Sequence, residues 1–314
     1  MKMKLIRAIA VLALLPSAAW AQDSREQAVA IAGEPLPAQE LKLTDIPAAA
    51  GKKVSLFDGR SLKDWEPWLG YPDPAVTYRA DPGVAPVGIS RDTSGDFAVR
   101  TVDGEPAIWI KGETWGSLVH NADLRDYHLR LEFKWGDKTW APRKTDPQNN
   151  GLLYHTHGKP GDVFGTWRPS VEFEIMKGST GMIVTVGKDV RARTNVTSDP
   201  SLIAPHLRFR IGGREIDMVN GTPTWNVEAA RDAERPVGEW NTLDLYVLGD
   251  RAVHVVNGVP VAEVRGLAVI APDGSRQPLT HGRIQLQSEG AETWFRRITV
   301  EPIRSLPRIT VARP

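Results

Sequence analysis

Between residues 127 and 135 apolar and polar side chains alternate almost without a break. Leu129, Leu131, Phe133 and Trp135 share one face, and His128, Arg130, Glu132 and Lys134 share the other. Successive side chains of an extended chain point to opposite faces, so this pattern predicts a strand with its apolar face on a core. Shorter runs of the same kind, separated by turn residues, occur at 97–102, 107–110, 151–157, 170–176, 240–248, 252–256, 259–264, 282–288 and 294–300. Asn257-Gly258, between two of these runs, is a strong two-residue hairpin signal. Many short strands with turn chemistry between them predict an antiparallel β-sandwich or barrel. Helical periodicity is scarce, with residues 227–234 able to form a turn or two, and no internal repeat is evident.

A second pattern lies between residues 149 and 176. In 152–157 the positions Leu153, His155 and His157 share a face. In 171–175 the apolar Val171, Phe173 and Ile175 share one face, and Glu172 and Glu174 the other. Two strands joined by a Gly/Pro-rich loop would thus set two carboxylates beside two imidazoles. Strand rise separates the Cα atoms of the glutamates by about 6.5–7 Å. Alternation also accounts for Glu172 and Glu174 as the solvated face of an amphipathic strand.

Composition narrows the function classes. The chain has 314 residues, 41% hydrophobic, with 39 basic and 38 acidic side chains and a net charge of +1. The length suits one large β domain or two ordinary ones. The balanced charge offers no field for nucleic acid and no acidic tail for a basic partner. Eleven Trp serve either as core or as platforms for sugar rings.

Lys2, Lys4 and Arg7 precede the apolar run 8–15, followed by Pro16 and Ala19-Trp20-Ala21. This is the pattern of a secretory signal peptide, residues 1–21, cleaved after Ala21 and too short for a membrane anchor. Beyond residue 25 no apolar run is long enough to span a bilayer. Without cysteine the chain uses no disulfide and is held by its core. The expected location is a bacterial periplasm, with release to the medium second. Residues 22–50 read as a mobile lead-in or a strap, 51–305 as the compact domain, and 177–240 as an irregular insertion with strands of its own, either a cleft wall or a partner-subunit contact.

Several segments, in order, are similar to one family. They are Leu56-Phe57-Asp58-Gly59 followed by Leu62 and Trp65, the alternating stretch 126–135, Asn149-Asn150-Gly151-Leu152, and Val171-Glu172-Phe173-Glu174-Ile175-Met176. Gly238-Glu239-Trp240-Asn241-Thr242, Val256-Asn257-Gly258-Val259, the stretch 282–290 containing Gln285, Gln287 and Glu289, and Trp294-Phe295-Arg296-Arg297-Ile298 complete the set. Over residues 54–302 the chain resembles the 3-keto-disaccharide hydrolase domain family. It departs at Glu174, where the family often has Gln, at Met176, where it often has Asp, and at Arg297, usually Asn. The resemblance implies an all-β, concanavalin A-like jelly-roll sandwich with an irregular insertion, acting on a carbohydrate substrate.

It further implies a functional partner, a sugar 3-dehydrogenase, that first oxidises a glycoside at C3. The ketone acidifies the C2 proton, a base removes it, the C1 substituent leaves by elimination, and water addition completes a net hydrolysis. Such chemistry needs a base, a donor to the leaving oxygen and a positive group to hold the enolate. The expected catalytic residues are Glu172, Glu174, His155 and Glu289. The expected substrate contacts are Asn149, His157, Gln287, Arg296 and Trp167, with Arg296 as the electrophile. A divalent metal is the other candidate electrophile, but the Glu/His spacing is not diagnostic and no cofactor is assigned. The rivals are a conventional two-carboxylate glycosidase, a non-catalytic carbohydrate-binding module on the same sandwich, and an envelope-interaction protein.

Overall fold

A computed structural model describes residues 17–89 and 95–312. The charged and apolar parts of the expected signal peptide, residues 1–16, lie outside the described residues. Its expected cleavage point falls within the helix Ser17–Ala32.

The alternating run forms the long strand Tyr127–Thr139, with Leu129, Leu131 and Phe133 fully buried. It lies near the middle of the larger sheet, between Asn241–Leu248 and Ala291–Pro302. That sheet continues through Arg251–Val256, Val259–Ile270, Val190–Ser198 and Leu207–Phe209 on one side, and Glu105–Ile110 and Phe97–Val102 on the other. The facing sheet runs in the order Asn226–Val227, Ile183–Val186, Ser170–Met176, Asn149–Thr156, Arg283–Ser288, Gly116–His120, Trp65–Leu69 and Gly88–Ile89. Neighbours so distant in sequence, antiparallel throughout, make a jelly-roll β-sandwich.

One apolar layer fills the space between the sheets. Leu152, Val171, Phe173, Ile175 and Leu286 of the smaller sheet meet Leu129, Phe133, Leu243, Leu245 and Val255 of the larger, all within 1% of full burial. His254 joins this core as a neutral ring. It stacks on Phe173 at 4.3 Å and 11°, and its two nitrogens bond Tyr154 Oη and the Gly181 carbonyl. Burial pushes its pKa down to about 4. The hairpin expected at Asn257-Gly258 is present, with φ of 51° and 79° at the two residues. Both values are positive, as the tight turn between right-twisted strands requires.

Two expectations become specific and one changes. Residues 22–50 are a strap rather than a mobile lead-in. Ala28 and Ala32 of the helix are buried, Gln39 exchanges two hydrogen bonds with the Ile211 backbone, and Leu41–Thr44 pairs with Arg308–Val311. The span 177–240 carries five strands, Ile183–Val186, Val190–Ser198, Leu207–Phe209, Arg214–Val219 and Asn226–Val227, which extend both sheets. Its outward Arg191 and Arg193, alternating with buried Val190 and Ala192, concealed the strand pattern under a charged composition. Residues 227–234 form no helix; after Val227 they run without regular structure.

The inter-sheet layer is the source of stability, and Phe173 is central to it. Phe173→Ala should cost about 3–5 kcal/mol through lost burial and the cavity left against His254, read as a lowered urea midpoint with an unchanged slope.

Candidate functional site

The outward face of Ser170–Met176 is not solvated. Glu172 and Glu174 are only 4% and 8% exposed, because a cleft of about 520 Å³ closes over them. The loop between the two central strands supplies Val163, Phe164 and Trp167. The insertion supplies Ile203, Asn220 and Trp225, and two further connections supply Tyr78 and Arg143.

Antiparallel register sets the floor. Glu172 lies opposite Leu153 and Glu174 opposite Gly151, and the neighbouring strand Arg283–Ser288 brings Gln287 and then Glu289 to the same face. The Gln287 amide lies beside Glu172 and the Asn149 amide beside Glu174, each favouring the ionised carboxylate. Gly151 is needed for this arrangement. A Cβ there would lie 2.0 Å from Glu172 Oε1 and 2.5 Å from Gln287 Oε1. Glu172 Oε1, Glu174 Oε1, Gln287 Oε1 and Asn149 Oδ1 are buried without a hydrogen-bond partner. All four belong to residues lining one cleft, where protons on the carboxyls or a polar ligand would satisfy them.

Arg143 supplies the positive charge. Its Nη2 donates to Glu289 Oε1 at 2.6 Å, and Tyr78 Oη donates to the same oxygen at 3.3 Å. Trp115, 1% exposed, lies 5.1 Å beneath the guanidinium and stacks with Trp167 at 6.0 Å. Asp73 caps the short 3-10 turn Pro74–Val76, which fixes the chain entering Tyr78.

The carboxyls are all pushed up in pKa. Burial, then the charges of Glu174 and Glu289, push Glu172 well above the carboxylate range. Burial and then Glu289 push Glu174 up to about 8. Burial also raises Glu289, opposed by Arg143. Glu172 and Glu174 titrate as a coupled pair, one that retains a proton at neutral pH.

The expected site is thus only partly assembled. Glu172, Glu174, Glu289, Asn149, Gln287 and Trp167 line one cleft; His155, His157 and Arg296 do not. A β-bulge diverts His155. Arg283 pairs with Thr156 but Gln285 with Leu153, so Tyr154 and His155 together face one residue, with φ of 52° at His155. The ring turns to the Gly249 carbonyl in a turn of the other sheet, and burial lowers its pKa to about 4. His157 is held by the His155 carbonyl and Asp189. Arg296 belongs to the larger sheet, where it bonds Glu132 at 2.7 Å and covers the Trp240 ring at 3.8 Å. Arg143 takes the place expected for it. No periodicity marked Arg143 or Tyr78, because both lie in connections without strand pattern. Among the described residues no group of three or more His, Cys, Asp or Glu has the arrangement to hold a metal ion. The cation in the cleft is Arg143.

Residues 52–301 match the model of the 3-keto-alpha-glucoside-1,2-lyase-like domain family, and the chain belongs to that family. It is accordingly a carbohydrate-active, glycoside-acting type of domain. Among curated proteins none matches. Among solved structures, a Parabacteroides distasonis ATCC 8503 protein provisionally described as a glycosyl hydrolase aligns at 17% identity and a TM-score of 0.43, over 81% of this chain and 100% of its own. A Bacillus subtilis protein with a galectin-like fold aligns at 13% and 0.43, over 82% and 99%. A Bacillus licheniformis β-glucanase aligns at 10% and 0.38, over 81% and 100%.

The raised carboxyls have a thermodynamic signature. Below about pH 4.5 they are protonated in both folded and unfolded chains. As pH rises the unfolded chain ionises first, so stability declines towards pH 8. Glu174→Gln should therefore melt higher than the parent at pH 8, by about 4 °C or more, with the difference shrinking at pH 4.5 in paired thermal scans.

Proposed function

We propose that this protein cleaves glycosides already oxidised at C3, by elimination across C1–C2. The observation that carries the reading is a pair of buried carboxyls, both raised in pKa, beside the Arg143–Glu289 ion pair, within a cleft whose lining leaves four acceptors unmet.

The ionised member of the Glu172/Glu174 pair takes the C2 proton. The C–H electron pair becomes the enolate, whose oxygen lies towards Arg143 and Tyr78. The enolate then collapses, forming C1=C2 and breaking the C1–O bond, and the protonated carboxyl gives its proton to the departing oxygen. Water adds across C1=C2, its hydroxyl to C1 and its proton to C2, giving the free 3-keto sugar and the alcohol. A carboxyl pair that shares one proton supplies acid and base at the same pH. Gln287 and Asn149 orient the two carboxyls, and Trp167 bounds the ring's apolar side. A sugar 3-dehydrogenase supplies the substrate. The basic-then-apolar N-terminus supports export, to the periplasm or beyond, where both proteins would meet the glycoside.

The deciding experiment measures product from a 3-keto-glucoside and from 3-keto-trehalose beside the unoxidised sugars, with and without a chelator. Turnover of the keto substrates alone is expected. Turnover of the plain sugars would replace the reading with a conventional glycosidase, and sugar binding without turnover would replace it with a binding module. Glu172→Gln should lower kcat by about 10²–10⁴-fold while retaining sugar binding in calorimetry.

A pH profile tests the shared proton. Because burial holds Glu174 up to about 8, while burial and then the Glu174 charge raise Glu172, Glu174 ionises to become the base and Glu172 keeps the donor proton, so kcat/KM should rise with pH towards about 8. A rate that falls between about pH 6 and 8 would contradict the assignment.

A further inference from the structure

The cleft has two chemically distinct ends. The carboxyls, Arg143, Gln287 and Asn149 occupy one. On the other side of the two glutamates, Val184, opposite Glu172 in the ladder, makes the floor with Met182 and Met176, and Ile203 and Trp225 of the insertion stand at the rim. The two rim side chains remain 58% and 38% exposed. Single exposed apolar residues are ordinary on a soluble protein, but several converging on one concavity mark a binding surface. The polar groups at that end are largely spent on the protein itself. Asn220 donates its amide to the Thr185 carbonyl at 2.8 Å, and the Thr185 hydroxyl donates to the Trp225 carbonyl at 3.1 Å. Asn226 is the remaining polar side chain there.

We propose that this end receives a large apolar leaving group, an aryl or fused-ring alcohol, in preference to a second sugar. The inference rests on the proposed cleavage at Glu172 and Glu174, since those residues fix which end of the cleft holds the sugar ring. A second sugar would bring several hydroxyls against methionine, valine and isoleucine side chains, and burying hydroxyls without partners is costly. A planar aromatic group meets no such penalty. It gains an aromatic edge or face from Trp225, and flexible thioethers from Met176 and Met182 that adapt to its outline. The two rim residues Ile203 and Trp225 come from connections between the inserted strands, so the insertion sets the leaving-group specificity while the sandwich sets the chemistry.

The test compares kcat/KM for the 3-keto derivatives of 2-naphthyl glucoside and of trehalose. The expected result is a preference of about tenfold or more for the naphthyl substrate, reduced about tenfold in an Ile203→Ser/Trp225→Ala variant, mainly through KM. Equal rates, a preference for the disaccharide, or a ratio the variant leaves unchanged would overturn the proposal. Free 2-naphthol, titrated against tryptophan fluorescence, separates this proposal from the reaction on which it rests. Saturable binding, weakened in the variant, supports the apolar subsite even if neither keto substrate is cleaved. Absence of saturable binding overturns the subsite even if both are cleaved.

Discussion

The constraint on which the site depends is that both faces of the strand Ser170–Met176 are buried. One face carries Val171, Phe173 and Ile175 into the inter-sheet core and gains stability by doing so. The other carries Glu172 and Glu174 beneath loops and inserted strands, at a cost that grows with pH as the unfolded chain ionises. The apolar face anchors the strand rigidly enough to hold two carboxyls where water would otherwise solvate and separate them. The close approach of the Gly151 backbone completes the arrangement, since any side chain there would occupy the space of the Glu172 and Gln287 oxygens.

The same sheet shows how a local irregularity sorts functional from structural residues. Simple alternation would place His155 on the face of Leu153, which belongs to the aromatic cluster under the cleft. The bulge at Tyr154 and His155 adds one residue against Ile284 and turns the histidine to the opposite side. There it serves the fold, neutral and bonded to a carbonyl of the other sheet. Bulges redirect side chains in this way without disturbing the rest of a ladder.

Alternation made the strands at 127–139, 170–176 and 291–302 legible, together with the hairpin at Asn257-Gly258, because each rests on local periodicity or turn chemistry. Periodicity also put Glu172 and Glu174 on one face, and Gln287 and Glu289 on another that pairing brings beside them. It could not show that the polar face is covered, because covering depends on segments distant in sequence. Arg143 and Tyr78 were invisible for the same reason. Each comes from a connection whose position is set by tertiary packing, with Trp115 under Arg143 and Phe164 against Tyr78. Arg296 misled because its sequence neighbours resemble those of a site residue, whereas its register partner Glu132 places it on the larger sheet.

The proposed cleavage of an oxidised rather than a plain sugar rests on the sign of the charge that the cleft can stabilise. Conventional glycoside cleavage develops positive charge on the ring and relies on an ionised carboxylate close to it. Here Glu289 is engaged by Arg143, and burial and mutual repulsion keep a proton on Glu172 and Glu174. Such a set is short of free negative charge and has a guanidinium and a phenol turned towards its interior. Donors of this kind hold an oxygen that gains negative charge, and a ketone beside the breaking bond is what provides one. A glycoside without the ketone would offer the cleft no developing anion, and the paired carboxyls would have no acidic C–H to remove.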